Sequence, residues 1–133
     1  MYQTARHDDG LLHATQGQLR SMMAGLCCGE PSGEAWTLLS RYARHFAAMS
    51  DDAAALGMRL LASPCGCDPR IISGESGASG FGLAAALLLM PELASQREAL
   101  GLNADSRILC FSTEGNTDPA NWERVVWQGA QSL

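Results

Sequence analysis

The chain contains no lysine: all nine of its basic residues are arginine, at positions 6, 20, 41, 44, 59, 70, 97, 107 and 124. Chemistry that needs a Schiff-base lysine cannot be completed by this chain alone. Charge of either sign is scarce, at 17% of residues, and the balance is acidic, at −5 with a pI near 5.0. Nucleic acid, whose phosphates call for clustered Lys and Arg, is therefore not an expected partner. The N-terminus lacks the basic and apolar regions of a signal peptide. No apolar run reaches the roughly 20 residues that cross a bilayer. These absences together predict a cytoplasmic protein with no membrane partner.

Metal-binding and nucleophile patterns are missing as well. Five cysteines (27, 28, 65, 67, 110) and three histidines (7, 13, 45) are present. Their spacings are Cys-Cys and Cys-x-Cys rather than paired Cys-x-x-Cys, with no histidine nearby, so no metal site is expected. An odd count in a cytoplasmic chain argues against disulfides. Gly-x-Ser-x-Gly is absent too; Ser73-Gly74-Glu75-Ser76-Gly77 falls one residue short of it.

What the chain does have is apolar content, 47% of 133 residues, enough to build the core of one domain or less. It is concentrated in 71–90, IISGESGASGFGLAAALLLM. Ile71 and Ile72 read as a short buried strand. Gly74, Glu75, Ser76 and Gly77 form a turn carrying the residue types that begin helices. From Ala78 to Met90 there is no charge, and Ala and Leu dominate, which predicts a helix buried all round. A buried helix starting at a glycine-rich turn presents backbone N–H groups, and the helix dipole there favours an anion. Packing alone would also account for those glycines.

On either side the pattern is mixed. Residues 1–20 are weakly periodic, with Leu11, Leu12 and Leu19 flanking a short strand or hairpin, and read as a cut or flexible end. Pro31 keeps Glu30 out of helix. A helix then starts at Ser32 or Gly33 and carries Trp36, Leu39, Tyr42, Ala43, Phe46 and Ala47 at helical spacing. Ser50-Asp51-Asp52 begins another, from Asp52 to Ala62, ended by Ser63-Pro64. After Pro91 an amphipathic helix runs to Gly101, its C′ residue. Arg107 to Phe111 has the length and apolar character of a fully buried strand. It feeds a polar heptad, Ser112 to Asp118, at the end of a strand where open α/β sheets place their ligands. Asp118 as N-cap and Pro119 at the first position open a last helix with Trp122, Val125, Val126 and Trp127. Phe81, Phe111, Trp122 and Trp127 sit at core spacings. The order suggests an α/β arrangement with too few strands for a complete sheet.

Four segments, MAGLCCGEP (23–31), DPRIISGESGASGFGLAAALL (68–88), FSTEGNTD (111–118) and WERVVWQG (122–129), follow one another as in the C-terminal part of the diaminopropionate ammonia-lyases, which the chain resembles over nearly its whole length. These are pyridoxal 5′-phosphate (PLP) enzymes of fold type II, the tryptophan synthase β and threonine dehydratase superfamily. The resemblance implies an α/β fold, the C-terminal portion of the large PLP-binding domain, mostly helical with a few buried strands. On it, 1–133 is a single partial domain. It implies α,β-elimination of 2,3-diaminopropionate to pyruvate and ammonia on a homodimer, with the cofactor as electron sink. Residue by residue, Thr113 or Ser112 matches the hydroxyl facing the pyridine nitrogen. Gly74 and Glu75 match the turn lining the cofactor pocket. Ala24, Gly25 and Leu26 match a segment passing beside the ring. The cofactor-linking lysine, the phosphate cup and the acid/base aspartates have no match here, so no residue is given a catalytic role, and the chain alone is expected to be inactive. The reading from another class is a free-standing interaction or regulatory module built on the same half-fold.

Overall fold

The computed structural model describes residues 1–131, which pack as two compact units, Met1–Ala48 and a second that begins at Met49. The first unit has little regular structure. It contains α1 (Tyr2–His7), a 3₁₀ turn (Ala24–Leu26) and α2 (Gly33–Tyr42). Only Thr4 and Met23 are buried in it. Thr4 earns that position by bonding: its hydroxyl accepts from His13 N–H at 3.0 Å and approaches His13 O at 3.4 Å. The His7 and His13 rings stack at 4.1 Å, and His13 Nε2 lies 2.8 Å from Asp9. The Leu11 N–H and then the His13 ring hold the Asp9 carboxyl below the ordinary aspartate range. The expected strand or hairpin around Leu11, Leu12 and Leu19 is absent, and all three side chains are exposed.

α2 begins as expected, with the Ser32 hydroxyl accepting from Ala35 N–H, but stops at Tyr42. Ala43 turns extended, and the chain folds back so that the Phe46 ring lies 5.7 Å from Trp36. The spacing placed Phe46 on the same helix as Trp36, whereas the helix ends before it and the ring reaches Trp36 from the chain beyond.

The second unit holds the core. α3 (Asp51–Ala62) packs against α4 (Glu75–Leu89) and α6 (Pro119–Val126). A 3₁₀ turn (Pro91–Leu93) and α5 (Ala94–Ala99) follow α4, and Gly101 at φ +67° closes α5 as its C′ residue. α3 and α4 meet through Ala53, Gly57, Ala78 and Gly82, small residues that let two backbones approach. A Cβ on Gly82 would overlap the Ala53 carbonyl, and one on Gly57 would overlap the Ala78 carbonyl. Met58 and Val125 are fully buried around this crossing. Arg59 ties α3 to the end of α6: Nε donates to Val125 O at 3.0 Å, and Nη2 donates to Ala130 O. Among the described residues no single helix is long and apolar enough to cross a membrane.

The predicted few buried strands are not found; the described residues form helices, turns and irregular chain. Ile71 and Ile72 are 44% and 48% exposed, and Leu109 and Phe111 are 79% and 77% exposed. Both segments are apolar and outside any helix, but a strand becomes buried only when neighbours continue its ladder and cover its faces. Gly74 N–H does donate to Glu114 O at 3.1 Å, yet no ladder extends from that bond among the described residues. Of the aromatics placed in the core, Trp122 is buried and Phe81 half-buried, whereas Phe111 and Trp127 face outward.

Candidate functional site

α4 starts at Glu75, earlier than expected, because the glycine turn is its cap and first turn rather than a loop before it. A helix start leaves backbone N–H groups without acceptors. Gly74, as N-cap, has no side chain to supply one. The acceptor comes from the heptad: Glu114 Oε2 takes the Ser76 N–H at 2.8 Å and the Gly77 N–H at 3.3 Å. The anion that the glycine turn favours is thus a carboxylate of the chain itself.

Packing fixes the same contact. A Cβ on Gly74 would lie 2.7 Å from Glu114 Oε2, and one on Gly77 would lie 2.8 Å from Glu114 O. Neither glycine has a positive φ; each is needed for close approach, so that the heptad can lie on the helix start. Beneath it, the buried Ser73 hydroxyl shares a 2.8 Å hydrogen bond with the Ser112 hydroxyl. Ser73 Oγ is also 3.2 Å from Gly74 O and 3.4 Å from Glu114 O. Ser73 has one proton. Given to either carbonyl, it leaves Ser112 as the donor in the pair, and the Ser112 proton is then committed inward.

Thr113 differs from its neighbours. It is exposed, as Ser112 is, but its hydroxyl makes no hydrogen bond among the described residues. Glu75, by contrast, is buried at 7% exposure, and its carboxylate accepts from Asn121 Nδ2 at the start of α6. Asp118 accepts from Asn121 N–H at 3.1 Å, the N-cap read from the sequence. The heptad is therefore pinned at Ser112, Glu114 and the α6 cap, with Thr113 left free between anchors.

Of the residues singled out by sequence, Gly74, Glu75, Ser112 and Thr113 come together here. Ala24 and Gly25 lie in the first unit, on an exposed 3₁₀ turn. Sequence reasoning gave no role to Ser73, Glu114 or Asn121. Glu114 lies 38 residues from Ser76, a separation no local pattern encodes. The available signal was a helix start with a glycine cap and no side-chain acceptor of its own.

No protein-family model matches the chain. It is 48% identical over 117 residues to the diaminopropionate ammonia-lyase of Escherichia coli (strain K12), a match covering 88% of this chain and 29% of that protein. It is 41% identical over 130 residues to the diaminopropionate ammonia-lyase of Salmonella typhimurium, covering 97% of this chain and 32% of that one. Among solved structures, the E. coli diaminopropionate ammonia-lyase in complex with an aminoacrylate–PLP azomethine reaction intermediate superimposes with a TM-score of 0.87 at 44% identity. That match covers 98% of this chain and 32% of the other. The same enzyme in complex with D-serine gives a TM-score of 0.78 at 48% identity, over 87% of this chain and 30% of the other. The chain's homologues are thus diaminopropionate ammonia-lyases, and it spans about 29–32% of their length.

Proposed function

We propose that this chain is the C-terminal part of a PLP-dependent diaminopropionate ammonia-lyase, carrying one edge of the cofactor site. The observation that carries the reading is the exposed, unbonded Thr113 hydroxyl held between two anchored residues, in a chain similar to these enzymes along nearly its full length. When bound, the cofactor would act as the electron sink for α,β-elimination from 2,3-diaminopropionate, giving pyruvate and ammonia. Thr113 would hold it by donating a neutral hydrogen bond to the pyridine nitrogen. Ser112, whose hydroxyl is paired with Ser73, would support Thr113 rather than replace it. Gly74 would line the same pocket. Glu75 would do so as part of its wall, since its carboxylate is engaged with Asn121. Ala24 and Gly25 are assigned to the ring's side by resemblance.

The residues present fit this edge and no more. No lysine is available for a covalent link, and the α4 N-terminus, suited to a phosphate, is closed by Glu114. Linkage and phosphate binding would fall to the part of the longer protein that this chain does not contain. The same part would supply strands for 71–72 and 107–111. On this reading the chain alone is inactive, and the complete enzyme is a cytoplasmic homo-oligomer.

A chimera tests it: the matching segment of the E. coli relative is replaced by this chain, and pyruvate release from 2,3-diaminopropionate is measured. The expected result is turnover, with Thr113→Ala weakening cofactor retention roughly tenfold, the loss of one hydrogen bond of about 1.4 kcal/mol. Ser112→Ala should retain cofactor better. A folded, cofactor-loaded chimera without turnover would defeat the reading. Normal retention in both variants would reduce the heptad to a strand-to-helix turn.

A further inference from the structure

We propose that Glu114 is the positioning residue of this site, its carboxylate serving as the resident anion of the α4 N-terminus and so fixing how Thr113 is presented. This rests on the assignment of Thr113 to the cofactor edge. Glu114 is held at both ends. Its backbone oxygen accepts from Gly74 N–H at 3.1 Å, and its carboxylate accepts from Ser76 and Gly77 N–H. On the other side of Thr113, Ser112 is tied to the buried Ser73. A residue between two anchored neighbours has a backbone that cannot swing, while its own side chain stays available. That is the arrangement that presents a donor without spending it.

The chemistry calls for an acid at 114. Charge-assisted bonds from backbone N–H to a carboxylate are shorter and stronger than neutral ones, and a helix start favours negative charge over a neutral amide. Gly74 leaves room for the carboxylate, and Gly77 for the Glu114 backbone carbonyl, only by lacking Cβ atoms, so the seat is shaped as well as charged. A further consequence is selectivity. With its own anion in place, the α4 N-terminus excludes phosphate or a substrate carboxylate, and ligands are directed to Thr113 instead.

The test is amide hydrogen exchange in the full 133-residue chain, read by NMR at individual residues. Glu114→Ala should speed exchange at Ser76 and Gly77 roughly tenfold or more, since it leaves those donors without an acceptor. Amides in α3 and at Val125 should be unaffected. Glu114→Gln keeps the shape and one acceptor oxygen but loses the charge, and should fall between the two. Excess formate should restore protection at Ser76 and Gly77 in Glu114→Ala, where equal chloride does not. A merely structural role would show no such rescue by a small carboxylate.

Unchanged exchange at Ser76 and Gly77 in Glu114→Ala, or the absence of formate rescue, would overturn the proposal. Should the alanine variant fail to fold, the glutamine variant decides alone: faster exchange confined to those two amides supports it, and wild-type exchange sinks it. None of these measurements involves the cofactor. The role of Glu114 can therefore fail while the lyase reading stands. Conversely, an inactive chimera overturns the lyase reading and leaves the exchange result intact. In an active chimera, Glu114→Ala should lower cofactor retention to the level of Thr113→Ala, and formate should raise it again.

Discussion

α4 and the segment 107–111 look alike as sequence, both apolar and both reading as buried, yet the fold treats them oppositely. Ala78 in α4 is fully buried, and Ala85, Ala86 and Leu87 are nearly so, whereas Leu109 and Phe111 are more than three-quarters exposed. The difference lies in where each finds backbone partners. A helix closes its own hydrogen bonds, so α4 needs only a small-residue face and α3 provides one. A strand makes none within itself and depends on neighbours for both ladder and cover. Among the described residues nothing supplies them, so the apolar side chains of 107–111 stay outside. Apolar content shows that a segment seeks burial; it does not show that the cover lies in the same stretch of chain.

The largest expected effect tests the helical half of that contrast. Gly→Ala in an ordinary helix interior gains up to about 1 kcal/mol. Gly82→Ala should instead destabilise the chain by roughly 3 kcal/mol, because the new Cβ meets the Ala53 carbonyl. Urea unfolding followed by circular dichroism gives the sign directly. A stabilised variant would mean that α3 and α4 do not cross closely in solution, and the comparison would collapse.

A smaller effect is expected where the helical layer closes its last backbone groups. Arg59 bonds carbonyls at and beyond the end of α6. Arg59→Ala should cost about 1.5–3 kcal/mol, the range for hydrogen bonds to a charged group. Arg59→Lys should recover little, since an ammonium cannot reproduce the guanidinium fork that spans Val125, Ala130 and Gln131. Full recovery by lysine would show that charge near a helix C-terminus, rather than geometry, sets the contribution.

The same contrast explains what was legible in the sequence. Caps were readable because they are local: Ser32 with Ala35, Asp118 with Asn121, and Gly101 after α5. The position of the anion seat was readable from Gly74 and Gly77, but its occupant was not, since Glu114 arrives from the far end of the unit. The hydroxyl pair at 112 and 113 was named without a way to rank its members. What distinguishes them is Ser73, whose buried hydroxyl pairs with Ser112 and not with Thr113. Burial of 71–72 and 107–111 was misread because apolar content carries no information about pairing, and among the described residues no strand pairs with either segment.

The smallest expected effect is the most informative about that sheet. Leu109→Lys and Phe111→Lys, made together, should change the stability of the chain by no more than about 0.5 kcal/mol, as for surface positions generally. Each side chain is already exposed in the folded state, so little apolar burial is there to lose. Fluorescence of a hydrophobic dye should fall, because two members of an exposed apolar patch are gone. In the chimera with the E. coli relative the identical pair should be severe, several kcal/mol, since two charges would then enter a covered sheet without partners. A neutral result in the chain with a severe one in the chimera would locate the missing cover in the longer protein. If the pair already costs more than about 2 kcal/mol in the chain alone, the segment is covered in solution. Unfolding midpoints that rise with protein concentration would then identify the cover as a second copy, and midpoints independent of concentration would place it within the chain.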